Sequence, residues 1–166
     1  MNQLLEFRKN KDEYFTSDPD SPLTKEQKQN FTGLKYFPEN PALRLVVPVD
    51  EFPQKESIQM LTTADEIQTY QRYGCFQISV EGQTASLTIY ASEDGYFLPF
   101  VDSLANKETY PAGRYLEPEP AEGGLFRIDF NLAYNPYCAY NEHWSCPITP
   151  FENRLKVPIR AGEKIY

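Results

Sequence analysis

From residue 43 onward the chain repeats one pattern: short segments of alternating apolar and polar residues, separated by turns, with no helical stretch between them. In CFQISV, Phe76, Ile78 and Val80 alternate with Gln77, Ser79 and Glu81, and in ASLTIY, Ala85, Leu87 and Ile89 alternate with Ser86, Thr88 and Tyr90. A period of two puts each set on one face of a strand. The residues EGQT between them have the length of a hairpin turn. The same reading predicts strands over LRLVVPV (43–49), SIQMLTT (57–63), EIQTYQRYG (66–74), YFLPFV (96–101), GRYLEP (113–118), LFRIDFN (125–131) and RLKVPIR (154–160). Parallel neighbours need long crossovers, so connections this short imply antiparallel pairing. One apolar and one polar face per strand then predicts a mainly β chain, an antiparallel sandwich or partly open barrel.

The N-terminus follows a different period. Leu4, Phe7, Tyr14 and Phe15 fall near one face of a helix over residues 2–15, with Arg8, Lys9 and Lys11 to Glu13 mostly outside it. In SDPDSPLTKEQKQNF, Ser21 suits a helix cap, Pro22 suits a first turn, and Thr24 with Gln27 has capping-box spacing. Residues 1–31 are therefore read as a helical segment on the outside of the β core. At 166 residues, with 40% hydrophobic and 24% charged side chains, the whole chain (1–166) is read as one globular domain.

Charge narrows the partners. Lys plus Arg number 16 against 24 Asp plus Glu, a net charge of −8, and the basic residues form no long cluster. Such a surface repels nucleic acid at long range. No apolar run of signal-peptide or membrane-spanning length is present, so the expected location is cytoplasmic, with no membrane partner. Three cysteines, an odd number, argue against a disulfide framework. Nothing in the sequence specifies an oligomeric state.

The connection over residues 131–153 concentrates the chemistry. NLAYNPYCAYNEHWSCP, Asn131 to Pro147, holds two of the three cysteines, the only histidine, the only tryptophan and three tyrosines. Long prolyl loops are usually functional or disordered, and large aromatics favour packing, so this one is read as an ordered cover. Cys138 and His143 are the candidate catalytic pair, thiol and base. Cys138, His143 and Cys146 also have the spacing of a partial zinc site, but only Cys75 or a carboxylate such as Asp129 is available as a fourth ligand. The reading adopted assigns no metal. Cys138 and Cys146 are also able to bridge, and two reduced buried thiols beside a surface imidazole are the plain alternative. Around the loop, the Arg114 fork suits a carboxylate or phosphate, Asp129 and Asn131 share the polar face of LFRIDFN, and Tyr134 and Trp144 serve as walls. An internal pair of Arg114 with Asp129 or Glu163 competes with the ligand role, and Asn135 and Asn153 are expected to bond loop backbone. Gly95 and the Gly123–Gly124 pair precede no helix, so no phosphate loop or dinucleotide fingerprint is present and the cofactor is left open.

DFNLAYNPYCAYNEHWSCPITPFENRLKVPIRAGEK (129–164), with DSPLT (20–24), FTGLKYF (31–37) and FVDSLANKETYPAGRYL (100–116), resembles the domain-of-unknown-function 1684 family of prokaryotic proteins. Tyr137 and Thr149 depart from it, standing where prolines are common. The resemblance implies no activity and supplies no catalytic assignment. Two functional readings stay open. One is an enzyme or small-molecule-binding protein whose pocket lies under the 131–153 loop, with Arg114 anchoring an anionic small molecule. The other is a non-catalytic protein-interaction module whose loop is purely structural.

Overall fold

In the computed structural model, which describes residues 2–166, the alternating segments pair as antiparallel strands in two sheets. The strands are β1 (Arg44–Pro48), β2 (Asp50–Glu51), β3 (Ser57–Leu61), β4 (Ile67–Val80), β5 (Gln83–Ser92), β6 (Gly95–Phe100), β7 (Arg114–Leu116), β8 (Glu119–Pro120) and β9 (Leu125–Asp129). The larger sheet runs β2-β4-β5-β6-β7, with β3 also paired to β4, and the smaller runs β1-β9-β8. Neither closes into a barrel. Phe76, Ile78, Leu87 and Ile89 of the larger sheet share one core with Phe126 and Ile128 of the smaller, which makes the sandwich that the alternation predicts.

The predicted strands at 66–74 and 75–80 are one strand, β4. Its pairing with β5 steps from Arg72↔Tyr90 to Gly74↔Ile89, leaving Tyr73 as the extra residue of a bulge. Glycine is required beside it, because a Cβ at Gly74 would lie 2.7 Å from the Asp50 carbonyl oxygen. The β4–β5 hairpin turns through Glu81 (φ 51°) and Gly82 (φ 77°), the two positive φ values of a tight turn matched to strand twist.

Residues 154–160 are a correction: they form no strand. Arg154 bridges Val101, and the segment then holds to residues 101–103 through Leu155 N–H to Val101 O (2.7 Å) and Ser103 N–H to Val157 O (3.1 Å). Pro158 has no N–H to continue a ladder. The alternation still describes the burial, since Val157 and Ile159 enter the core.

Thr88 and Tyr90, predicted on an exposed polar face, are buried because a turn at Phe151–Asn153 covers them. β5 and β6 pair from Ser92↔Gly95 to Tyr90↔Phe97 and then part. Two residues further on, Thr88 would face Pro99, which has no N–H to donate. The Asn153 side chain fills that gap: Nδ2 donates to the Thr88 and Pro99 carbonyls, both at 2.8 Å, and Oδ1 accepts from Thr88 N–H at 2.8 Å. Asn153 therefore bonds sheet backbone rather than its own loop.

Helix α1 (Gln3–Ser17) is capped by Asn2, whose side chain accepts from Leu4 N–H at 2.9 Å. It stops at Asp18, which is extended because Pro19 follows. Helix α2 (Lys25–Asn30) begins at Thr24 with the capping box to Gln27 that the spacing predicts. Ser21 caps nothing; its hydroxyl donates to Phe15 O and accepts from Leu23 N–H, tying the interhelical turn. Leu4 and Phe15 are buried as expected, but Phe7 is 42% exposed. No helix among the described residues is long and apolar enough to cross a membrane.

Replacing Asn153 with alanine strands three buried backbone groups at once. The expected loss is about 3 kcal/mol, read as a lower urea midpoint, on the scale of unmet buried hydrogen bonds. An unchanged midpoint would show that water substitutes for the amide.

Candidate functional site

The loop after β9 runs along exposed sheet edges and satisfies them. Tyr134 exchanges both backbone hydrogen bonds with Tyr115 of β7 (2.8 and 3.1 Å). Farther on, Thr63 N–H donates to Cys146 O and Ile148 N–H to Leu61 O, both at 2.9 Å, which fixes the loop to the end of β3. The Tyr115 hydroxyl donates to the Pro147 carbonyl and links the two attachment points.

Between this loop, β7 and α1 lies a cleft of about 720 Å³. Tyr134, Tyr137 and Trp144 line it from the loop, Tyr115 from β7, and Phe7 and Tyr14 from α1. Tyr137 meets Trp144 edge to face at 5.1 Å, and Tyr115 meets Tyr134 at 5.9 Å, so the rings brace one another. Polar groups are few. The Tyr134 hydroxyl donates to Glu117, Glu119 lies at the rim, and Lys11 reaches in from α1 with Nζ 4.9 Å from the Tyr134 ring centroid. Lys11 is already engaged, forming an ion pair with Glu163. That carboxylate is 1% exposed and also accepts from Asn135 N–H (2.7 Å) and the Tyr140 hydroxyl (3.1 Å). Burial, before any charged neighbour, pushes the Tyr115, Tyr134 and Tyr140 phenols well above their ordinary value.

Of the residues singled out from sequence, the cleft gathers Tyr134 and Trp144. Arg114 is a correction, because its side chain is 1% exposed and turned into the interior. Nη1 donates to the Ala161 and Glu163 carbonyls, Nη2 to Ile159 O at 2.8 Å, and Asp102 sits 3.6 Å away, so the fork has no position left for an anion. Burial lowers its pKa to about 10, with Asp102 and Glu163 acting in the opposite direction, and it stays charged at neutral pH. Asn131 is also buried, and Asp129, half-buried away from the cleft, is already paired. Asp129 accepts from Asn131 N–H at 2.9 Å and from Arg44 Nε at 3.1 Å, while Asn131 clamps both backbone groups of Asn40.

Cys138 and His143 line one shallow depression on the outer side of the loop, and no hydrogen bond joins them. His143 is exposed beside Trp144, with ring centroids 6.0 Å apart. The catalytic pair read from spacing is therefore not assembled. Among the described residues no three His, Cys, Asp or Glu side chains are grouped to hold a metal ion, so the zinc alternative has no ligand set.

Sequence reading missed Phe7, Lys11, Tyr115, Glu117 and Glu119. One signal was available: Tyr115, Glu117 and Glu119 stand two apart and line the same cleft, the face opposite the one Arg114 enters.

A family model described as "Protein of unknown function (DUF1684)" matches residues 29–164. That span contains every stretch that carries the sequence resemblance except Asp20–Thr24. Among solved structures, the solution NMR structure of an uncharacterized protein from Haloarcula marismortui is similar, with 34% identity and a TM-score of 0.73, covering 98% of this chain and 92% of that one. No curated protein matches.

Two expectations follow. Arg114→Ala should lower unfolding stability by about 3–5 kcal/mol, the cost of leaving a buried charge without its partner; a loss below about 1 kcal/mol in urea would show that the guanidinium is not a strut. The second concerns alkali. Phenols with raised pKa stabilise the fold fully below their ordinary value of about 10, and that contribution is lost as pH rises from there toward the folded values. The lowered Arg114 acts in the opposite sense from about 10 upward, but it is one group against several phenols. Phenolate absorbance from the buried tyrosines should therefore appear together with loss of the β circular dichroism signal. Titration of all 12 tyrosines near pH 10 with the fold intact would contradict this.

Proposed function

Because the chain belongs to the DUF1684 family, whose description assigns no activity, we propose from the cleft itself that the protein binds a small, flat, mainly apolar molecule between its 131–147 loop and α1. The observation that carries this reading is the convergence of aromatic rings from three separate parts of the chain on one concavity. Its volume falls within the range of small-molecule sites, roughly 300–1,000 Å³. Phe7 and Leu132, 42% and 37% exposed, stand at its rim, where a bound molecule would cover apolar surface now in water.

Charge selects the ligand class. The cation of the cleft, Lys11, is neutralised by Glu163, and Glu117 and Glu119 lie at the edge. A neutral or cationic ring system fits these walls better than the anion expected of a free Arg114, since aromatic faces attract cations. Edge-to-face and stacked contacts with Tyr134 and Trp144 would each add about 0.5–1.5 kcal/mol beyond area burial.

Trp144 is the only tryptophan, so its indole N–H gives one NMR resonance inside the site. A fragment set of flat neutral, cationic and anionic aromatics should shift that resonance saturably, with the neutral or cationic members binding best. Tyr134→Ala and Phe7→Ala should each weaken the best binder by about tenfold, equivalent to about 1.4 kcal/mol. A resonance that no fragment moves, or binding that both variants retain in full, would refute the reading and leave a purely structural cover.

A further inference from the structure

The loop carries a second arrangement, which the binding proposal does not use. Cys138 lies in the short turn Tyr137–Ala139, and its backbone N–H donates to Cys146 Sγ at 3.4 Å. The Tyr110 hydroxyl stands 3.7 Å from Cys138 Sγ. Thr63 braces the second cysteine, with Cys146 N–H donating to Thr63 Oγ1 at 3.1 Å and the Thr63 hydroxyl donating to Trp144 O at 2.9 Å. The two cysteines are free thiols held together by that backbone contact, and they differ in access: Cys138 is half-buried at the outer depression, and Cys146 is buried behind it.

We propose that Cys138 and Cys146 form a peroxide-oxidisable dithiol in which Cys138 attacks the peroxide and Cys146 resolves the product. The roles follow from position, since the accessible sulfur meets the oxidant and the buried one lies against it. Hydrogen bonding assigns them the same way. Contact with Cys146, then the Tyr110 hydroxyl 3.7 Å away, holds the Cys138 pKa down to about 6 against the burial that pushes it up. Contact with Cys138 and burial raise the Cys146 pKa. The thiolate of the pair therefore resides on the exposed member.

The chemistry balances with hydrogen peroxide or an alkyl hydroperoxide as oxidant. The Cys138 thiolate attacks one peroxide oxygen, an S–O bond forms and the O–O bond breaks. Cys138 is oxidised to a sulfenic acid by two electrons, and the leaving oxygen is reduced and takes up a proton as water or an alcohol. Cys146 Sγ then attacks Cys138 Sγ; the S–S bond forms, the S–O bond breaks, and the hydroxyl departs with the Cys146 proton as a second water. The net change is two thiols and one peroxide to a disulfide, water and either water or an alcohol. Seven residues lie between the cysteines, and hydrogen bonds hold the turn at one end and the Thr63 contact at the other, so the sulfurs meet without refolding of the sheet.

The test uses the full chain and one equivalent of hydrogen peroxide at neutral pH. Both cysteines fall in the tryptic peptide Ile128–Arg154, while Cys75, half-buried on β4, falls in another and serves as the internal control. Oxidised wild type should yield the 128–154 peptide lighter by two hydrogens and closed to alkylation, with Cys75 still alkylated and oxidised at least about tenfold more slowly. Cys146→Ser should instead accumulate a sulfenic acid on Cys138 that a cyclic dione traps, and Cys138→Ser should leave Cys146 reduced. Oxidation of Cys75 at an equal rate, sulfenic acid arising first on Cys146, or a wild-type peptide that keeps both thiols would each overturn the proposal. The wild-type measurement decides this even if a variant fails to fold.

Discussion

A guanidinium with no access to water organises the side of the molecule where the cleft lies. Arg114 donates to three carbonyls of the C-terminal segment, Ile159, Ala161 and Glu163, with Asp102 as its counter-charge. Asp102 in turn accepts from Thr109 Oγ1 (2.6 Å) and from Ile159 N–H (2.8 Å), so each charge is surrounded by hydrogen bonds. A buried pair is tolerable only when its remaining donors and acceptors are met in this way. The result is that β7, the 102–109 turn and the chain end are fixed to one another, and the Glu163 side chain is delivered to a defined place. From there it holds Lys11 of α1, Asn135 and Tyr140. The wall, floor and helix of the cleft thus share one anchor.

Side chains that act as backbone explain how so long an irregular loop stays ordered. Asn153 supplies the donor that Pro99 lacks, Asn131 pairs with both backbone groups of Asn40, and Tyr134 adds itself to the edge of β7. Loops that leave their polar groups unmet inside a protein are costly. Here the loop meets its own by completing sheets that would otherwise end in open edges. Gly162 allows a close approach, for a Cβ there (φ 76°) would lie 2.6 Å from the Ala133 carbonyl oxygen.

The two proposed activities share this one loop. Trp144 and Cys146 face the aromatic cleft, while Cys138 and His143 face outward. A segment bearing reactive groups on both sides needs a rigid backbone between them, and the attachments at Tyr134 and Thr63 provide it.

Local chemistry was legible in the sequence wherever its meaning did not depend on a distant partner. The period of two at Phe76–Val80, Leu87–Ile89 and Phe126–Ile128 gave the sheets and their buried faces, and Thr24 with Gln27 gave the start of α2. The 129–164 motif gave the family. Tertiary structure alone decided which polar residues were spent inside. Arg114 and Tyr115 are neighbours in a strand, and alternation says that they face opposite ways but not which way is inward. That choice rests on Asp102 and on carbonyls more than 40 residues later in the chain. Phe7 and Lys11 were likewise assigned by helical period, which cannot register a loop from residues 134–147 arriving over them. A strand or helix pattern records one-dimensional spacing, whereas a site is made by the convergence of segments whose separations only packing sets.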